Sequence, residues 1–184
     1  MLRLVIIFIV LNFYSPALTS IKEDIISKMQ ITNNLSFNFI QTVDDKSENG
    51  KCIVAYPKKI YCEYDGANKK IIVSDGRSLV IKTNNNNNYY IYSLDNTPLK
   101  YLLDKEYLIS KIEILEPRDI DDKYLNFKIF ENNNEINIFF DKKSLNLIGW
   151  QTKDIHQNFS VTFISSVKIN QKLDKKKFRL PQNN

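Results

Sequence analysis

Glycine is scarce in this chain, with four residues in 184. That scarcity leaves no loop of the G-x-G-x-x-G or G-x-x-x-x-G-K kind to cradle a phosphate. Histidine occurs once, at His156 in a polar stretch, and no G-x-S-x-G elbow exists to pair with it. A solvent-exposed turn residue is its expected role. Cys52 and Cys62 have no third or fourth soft ligand nearby and no C-x-x-C spacing, so neither a zinc set nor a redox pair is expected. Carboxylates are plentiful but sit in turns, and no spacing puts two on a common apolar face as paired acid and base work requires. Asp119, Asp121 and Asp122 form the densest acidic group. A calcium loop needs ordered carboxylates around a glycine, so this group is expected to be a solvated turn. No nucleic-acid recognition motif accompanies the mild net charge of +5. The expectation is no catalytic residue, no metal and no cofactor.

Long hydrophobic runs are also missing, since a membrane span wants about 18 or more apolar residues. The longest run, Leu4 to Leu11, follows Arg3 and precedes Pro16-Ala17-Leu18-Thr19-Ser20. Positive charge, short apolar segment and small residues are the layout of a signal peptide, so residues 1–20 are expected to be cleaved, an uncleaved anchor being the alternative. No cysteine follows the apolar run, so lipidation of a new N-terminus is not expected. Removing Arg3 leaves 25 basic against 21 acidic residues, about +4. Export makes Cys52 and Cys62 candidates for a disulfide, with two buried thiols as the alternative.

The stretch Gly50 to Lys82 contains four short runs of β-branched and aromatic residues. They are separated by turn signals at Pro57, Asp65-Gly66 and Asp75-Gly76. Period-2 geometry puts Cys52, Val54 and Tyr56 on one face of the first strand and Ile60, Cys62 and Tyr64 on one face of the next. A turn centred on Pro57 sets the two cysteines opposite each other. Lysines 58, 59, 69 and 70 cluster at the turns, where protection of sheet edges is the expected role, with a basic rim for acidic partners or lipid headgroups as the alternative.

Upstream, Ile21 to Ile31 has an apolar stripe of Ile21, Ile25, Ile26 and Met29, the pattern of an amphipathic helix. Leu35 to Val43 alternates, with Leu35, Phe37, Phe39 and Gln41 on one face, and Asp44 to Asn49 is expected to be a polar loop. Downstream, the tract Asn84 to Asn88 is expected to be a loop and Tyr89 to Leu94 a strand. Asn96-Thr97-Pro98 is a helix start in which Asn or Thr caps and Pro fits the first turn, followed by the apolar Leu99, Leu102 and Leu103. Glu106 to Leu115 fits helix or strand. Four more alternating runs follow, and the Phe178 end adds one further strand, for about ten or eleven in all. The predicted fold is mainly β, a single large antiparallel sheet curled as a barrel or sandwich would be, with two or three short helices. No repeat or linker divides residues 21–184. Twenty-one Phe and Tyr residues either fill the core of such a sheet, the expected role of any one of them, or leave an apolar cavity that two or three helices do not seal. An acyl chain suits the resulting cavity, because each buried methylene contributes about 0.8 kcal/mol without needing a polar partner.

These residues also carry a family resemblance. Phe39-Ile40-Gln41, Gly50, the run into Tyr56-Pro57, Ile60 to Tyr64, Ile71 to Gly76, Asn96-Thr97-Pro98-Leu99 with Leu102-Leu103, and Phe178 with Pro181 together resemble the periplasmic outer-membrane lipoprotein carrier, the LolA family. The resemblance implies an incompletely closed half barrel of about ten or eleven strands under a lid of helices, Ile21 to Ile31 and Thr97 to Asp104. It implies a monomer in the periplasm that takes acylated lipoproteins from an inner-membrane ABC exporter to an outer-membrane receptor. By position, Cys52, Val54, Ile60, Cys62, Leu99 and Leu102 match cavity-lining places; Met29 and Phe39 join them from periodicity. The family often has arginine before the motif proline as a latch on the lid, whereas this chain has Tyr56, a phenol with one hydrogen to donate. A lipid-binding or envelope-sensing module of the same fold is the alternative function.

Overall fold

The computed structural model describes residues 17–83, 88–153 and 157–182, the first four of these as backbone only. Residues 1–16 of the expected leader, most of the asparagine tract and His156 lie outside the described residues, while 17–20 open the first helix. Along the chain run α1 (Ala17–Ile31), β1 (Asn34–Val43), β2 (Lys46–Ala55), β3 (Lys59–Tyr64), β4 (Ile71–Asp75), β5 (Ser78–Lys82) and β6 (Tyr89–Ser93). Then come α2 (Leu99–Leu102), α3 (Lys105–Ile114), β7 (Arg118–Ile120), β8 (Tyr124–Glu131), β9 (Asn134–Asp141), β10 (Leu147–Lys153) and β11 (Phe159–Ile169). No helix among the described residues is long and apolar enough to cross a membrane.

The strands form one antiparallel sheet of eleven in the order β6-β5-β4-β3-β2-β1-β11-β10-β9-β8-β7. Every neighbouring pair but one is also adjacent in sequence. The exception, β1 with β11, pairs from Leu35↔Ile169 to Val43↔Ser160 with a register shift between Ser36 and Asn38, and ties the two halves together. Because β6 and β7 end the order unpaired with each other, the sheet is an open half barrel.

Alternation decides which face is which. Leu35, Phe37 and Phe39 on β1, Cys52 and Val54 on β2, and Ile60, Cys62 and Tyr64 on β3 are buried together on the concave side. A second cluster forms where α1 and α3 lie on the other half, joining Ile25 and Ile112 to Phe127, Ile136, Ile138 and Phe140. The stripe of α1 supplies the contact, with Ile21, Ile26 and Met29 packed beside Ile25. Asp104 caps α3 by accepting from the Tyr107 N–H at 3.1 Å. Lys105, at the start of that helix, donates to the carbonyls of Gln30 and Thr32 at 3.0 and 3.1 Å. A cation therefore satisfies the free carbonyls at the end of α1.

Several expectations need correction. Asp44 to Asn49 is not a loop: β2 begins at Lys46, Ser47 pairs with Thr42 and Glu48 with Gln41, and only Asp44 and Asp45 turn. The polarity there marks a hairpin end facing solvent. Glu106 to Leu115, open between helix and strand in the sequence, is helical as far as Ile114, where α3 ends. The eleventh strand is β7, paired with β8, whereas the Phe178 end is a 3-10 turn, Lys175–Phe178, packed on β3 and β4. Thr97 does not cap α2. Its hydroxyl donates back to the Leu94 carbonyl at 2.9 Å, and Pro98 stands at the cap without a side-chain bond. Lysines 58, 59, 69 and 70 guard no edge, because β3 lies between β2 and β4 and the open edges are β6 and β7.

Candidate functional site

Three hollows lie along the concave face and share walls. The largest, about 420 Å³, opens between β4 to β6, the start of α2 and β10. Its apolar side is made by Ile72, Leu79, Ile81, Tyr92, Leu99 and Trp150. A second, of about 30 Å³, lies under α2 among Val54, Tyr56, Ile60, Leu99, Leu102 and Trp150. A third, of about 70 Å³, lies under α1 and includes Met29, Leu35, Tyr56, Leu108 and Ile138. Leu99 and Trp150 are common to the first two; Leu35, Tyr56, Leu108, Ile138 and Leu147 are common to the last two. Beneath the helical covers the interior is thus nearly filled, and the roomy space lies beside α2. Only the largest falls in the range of about 300–1,000 Å³ usual for small-molecule sites.

Of the residues expected to line a cavity, Met29, Val54, Ile60, Leu99 and Leu102 touch these hollows. Phe39, Cys52 and Cys62 instead belong to the packed layer beneath. Phe39 meets Tyr64 edge to face with centroids 4.8 Å apart and also lies over Gly50, where a Cβ would come within 2.6 Å of its ring. Cys52 and Cys62 are joined by a disulfide, directly opposite across the hairpin with Cα atoms 4.1 Å apart.

Tyr56 lies between the second and third hollows. Its backbone N–H donates to the Asn33 carbonyl at 3.0 Å, but its phenol has no hydrogen-bond partner among the described residues. Burial alone pushes the phenol up to about 12. The turn is tied to the lid by Lys58 instead. The Lys58 N–H donates to the Leu103 carbonyl at the end of α2, 2.8 Å away, and its ammonium lies 3.6 Å from the Asp104 carboxylate. Lys58 has a φ of 65°. Sequence offered a faint signal for this, a cation two positions after the expected latch site.

One wall of the largest hollow is polar. The Gln41 amide donates to Ser160 at 3.1 Å and Thr162 at 3.3 Å, and Gln41 accepts from the Tyr64 phenol at 2.7 Å. Burial, and then the charge of Glu48, hold that phenol above its ordinary range, so it remains a neutral donor. Lys70 pairs with Glu48 and lies 3.8 Å over the Tyr64 ring. Sequence reasoning puts Gln41 on the inner face but misses this wall, because its β11 partners become visible only when β1 meets the far end of the chain.

Two carboxylates of the acidic group near β7 share one lysine. Lys142 donates to Asp119 and Asp122, and the Asp122 carboxyl is held below its usual range by that bond. Among the described residues, no three His, Cys, Asp or Glu side chains are grouped to hold a metal ion.

No curated protein matches the sequence. The solved structures to which the chain is similar include the following. A LolA superfamily protein from Nitrosomonas europaea is 13% identical, with 89% of this chain and 97% of that one covered and a TM-score of 0.45. A putative outer membrane lipoprotein-sorting protein domain from Vibrio parahaemolyticus is 6% identical, with 90% and 97% covered and a TM-score of 0.46. MucB is 9% identical, with 92% of this chain and 64% of MucB covered and a TM-score of 0.48. Residues 30–181 match the family described as outer membrane lipoprotein carrier protein LolA, and the chain belongs to that family.

Proposed function

We propose that this protein is a periplasmic carrier that shields the acyl chains of lipoproteins, taking them from an inner-membrane ABC exporter and delivering them to an outer-membrane receptor. One observation carries the reading: a hollow of about 420 Å³ with a largely apolar lining on the open face of the half barrel. At about 0.8 kcal/mol per methylene removed from water, an acyl chain gains enough there to be held without polar anchors. Reversibility is the second requirement of a carrier. A lid helix of four residues, Leu99–Leu102, is far too short to be stable alone and keeps its place only through side-chain contacts. Moving it joins the hollows that now share Leu99 and Trp150. Residues 1–20 supply the route of export in this reading.

The test is co-expression of the full chain with the exporter, purification of the mature protein, and mass spectrometry of what it carries. A bound acylated lipoprotein is expected. Ile60→Glu and Leu102→Glu each put a carboxylate into the wall beneath the lid, and both are expected to abolish loading. The milder Leu99→Gln, at a half-buried position, is expected to reduce it. Circular dichroism and an intact disulfide check that the variants fold. Normal loading by folded Ile60→Glu and Leu102→Glu overturns the cavity assignment. Preference for free fatty acid or phospholipid over triacylated protein favours the lipid-binding module instead.

A further inference from the structure

Thr152 stands out on the wall of the largest hollow. Its side chain is 7% exposed, and its hydroxyl is buried without a hydrogen-bond partner among the described residues. An orphaned buried hydroxyl is costly, and native chains tolerate few of them. Directly across the ladder stands Ser160, the register partner of Thr152, lining the same hollow. Ser160 accepts from the Gln41 amide, so its own proton is left for another acceptor, and none is found among the described residues. Two neighbouring hydroxyl protons therefore lack an acceptor among the described residues. The opposite wall, Ile72, Leu79, Ile81 and Leu99, offers only hydrocarbon.

We propose that Thr152 and Ser160 donate to the carbonyl oxygen of the ester or amide through which an acyl chain joins its bearer. The hollow would then seat the polar junction of the ligand against β10 and β11 and the chain against β4, β5 and α2. This rests on the carrier reading and adds to it the part of the ligand that is recognised. Turning Thr152 by about 120° around χ1 carries its hydroxyl to another staggered position, from which it can reach the hollow, without moving the backbone. The orphaned hydroxyl is thus retained for binding at the expense of the empty protein.

The experiment measures binding of the mature protein to two matched pairs: a dipalmitoyl lipopeptide with ester linkages and its ether-linked counterpart, and dipalmitoylglycerol with its dialkyl ether. Replacing the ester removes the carbonyl and keeps the chains. The ester lipopeptide is expected to bind about fivefold to tenfold more tightly than the ether, as one or two hydrogen bonds require. Thr152→Val with Ser160→Ala is expected to bring that ratio to about one while ether binding stays as it was. In Thr152→Val alone, the ligand-free melting temperature is expected to rise, a change opposite in sign to its effect on ester binding. Equal ester and ether binding by the unaltered protein, or a ratio untouched by the double variant, overturns the proposal and leaves the carrier reading standing. Failure to bind either lipopeptide overturns both. An ester preference seen only with the glycerol lipids supports carbonyl recognition but assigns the junction to a free lipid.

Discussion

Tyr56 and Lys58 stand two positions apart and do different things beside α2. Tyr56 fills the gap between two hollows, and its phenol has no hydrogen-bond partner among the described residues. Its pKa is raised from 10.0 to about 12 by burial. The sign follows from linkage: the folded state keeps this proton longer, so its contribution is fully present below pH 10 and is lost as pH rises toward 12, by about 2.7 kcal/mol at most. Tyr56→Phe should leave stability at pH 7 unchanged within about 1 kcal/mol and flatten its fall above pH 10. Urea melts at pH 7, 10 and 11.5 measure both; an equally steep fall in the variant would place the alkaline sensitivity elsewhere, with Tyr64 the next group to test. Lys58 carries the lid contact through its backbone N–H and, more weakly, through an ion pair at 3.6 Å with Asp104. Both partners are about a third exposed, so Lys58→Met should cost only a few tenths of a kcal/mol in a melt. Its effect should appear as a twofold to threefold rise in hydrogen exchange within α2. A linear reading shows Lys58 only as a cation near Tyr56 and cannot set it against the lid, because that depends on where the end of α2 arrives, and α2 follows in the chain by some forty residues.

The first hairpin and the β10–β11 pair show why some elements were legible and others were not. Cys52, Val54, Ile60 and Cys62 could be placed by period-2 alternation about Pro57, and the ladder has that register. A disulfide closing a separation of ten residues should contribute roughly 2–3 kcal/mol through the unfolded chain. Cys52→Ala with Cys62→Ala is expected to lower the denaturation midpoint by that amount, with the fold retained because five other ladder pairs flank the bridge. Loss of the folded state altogether would mean that the tie does more than limit the unfolded ensemble. β7 and the start of β2 were illegible for a different reason: β7 is Arg118 and Asp119 with only Ile120 apolar, and β2 opens with Lys46, Ser47, Glu48 and Asn49, so neither stretch shows a hydrophobic period. The Phe178 end misled in the opposite sense, since one buried aromatic in a polar run satisfies strand and 3-10 turn alike. Gly149 was silent in sequence but fixes the approach of β10 to β11. A Cβ there would lie 2.3 Å from the Thr162 carbonyl oxygen and 3.2 Å from the Phe163 Cα. Backbone cannot give way cheaply, so Gly149→Ala should destabilise by roughly 1–3 kcal/mol and should also disturb the wall that holds Thr152. A neutral melt for this variant would show that the pair has slack the geometry does not reveal.

Across the molecule, the packing under the helices and the space beside them are two states of one surface. Leu102 and Leu103 are buried, and both line the small hollow beneath α2, so the lid fills much of the volume that a longer ligand would want. If side chains of the lid compete with the ligand, weakening the closed arrangement must destabilise the empty protein and favour the loaded one, because a ligand shifts an equilibrium only by its differential affinity. Leu103→Ala is the variant to use, since Leu103 sits in the core cluster and its backbone carbonyl, which receives the Lys58 N–H, is untouched. It should cost the ligand-free protein about 2–4 kcal/mol and lower its melting temperature by roughly 5–12 °C. The same variant should bind the acyl ligand at least several-fold more tightly. A parallel fall in stability and affinity would instead make α2 a wall of the bound site, and loading would then require the lid to close over the chain rather than yield to it.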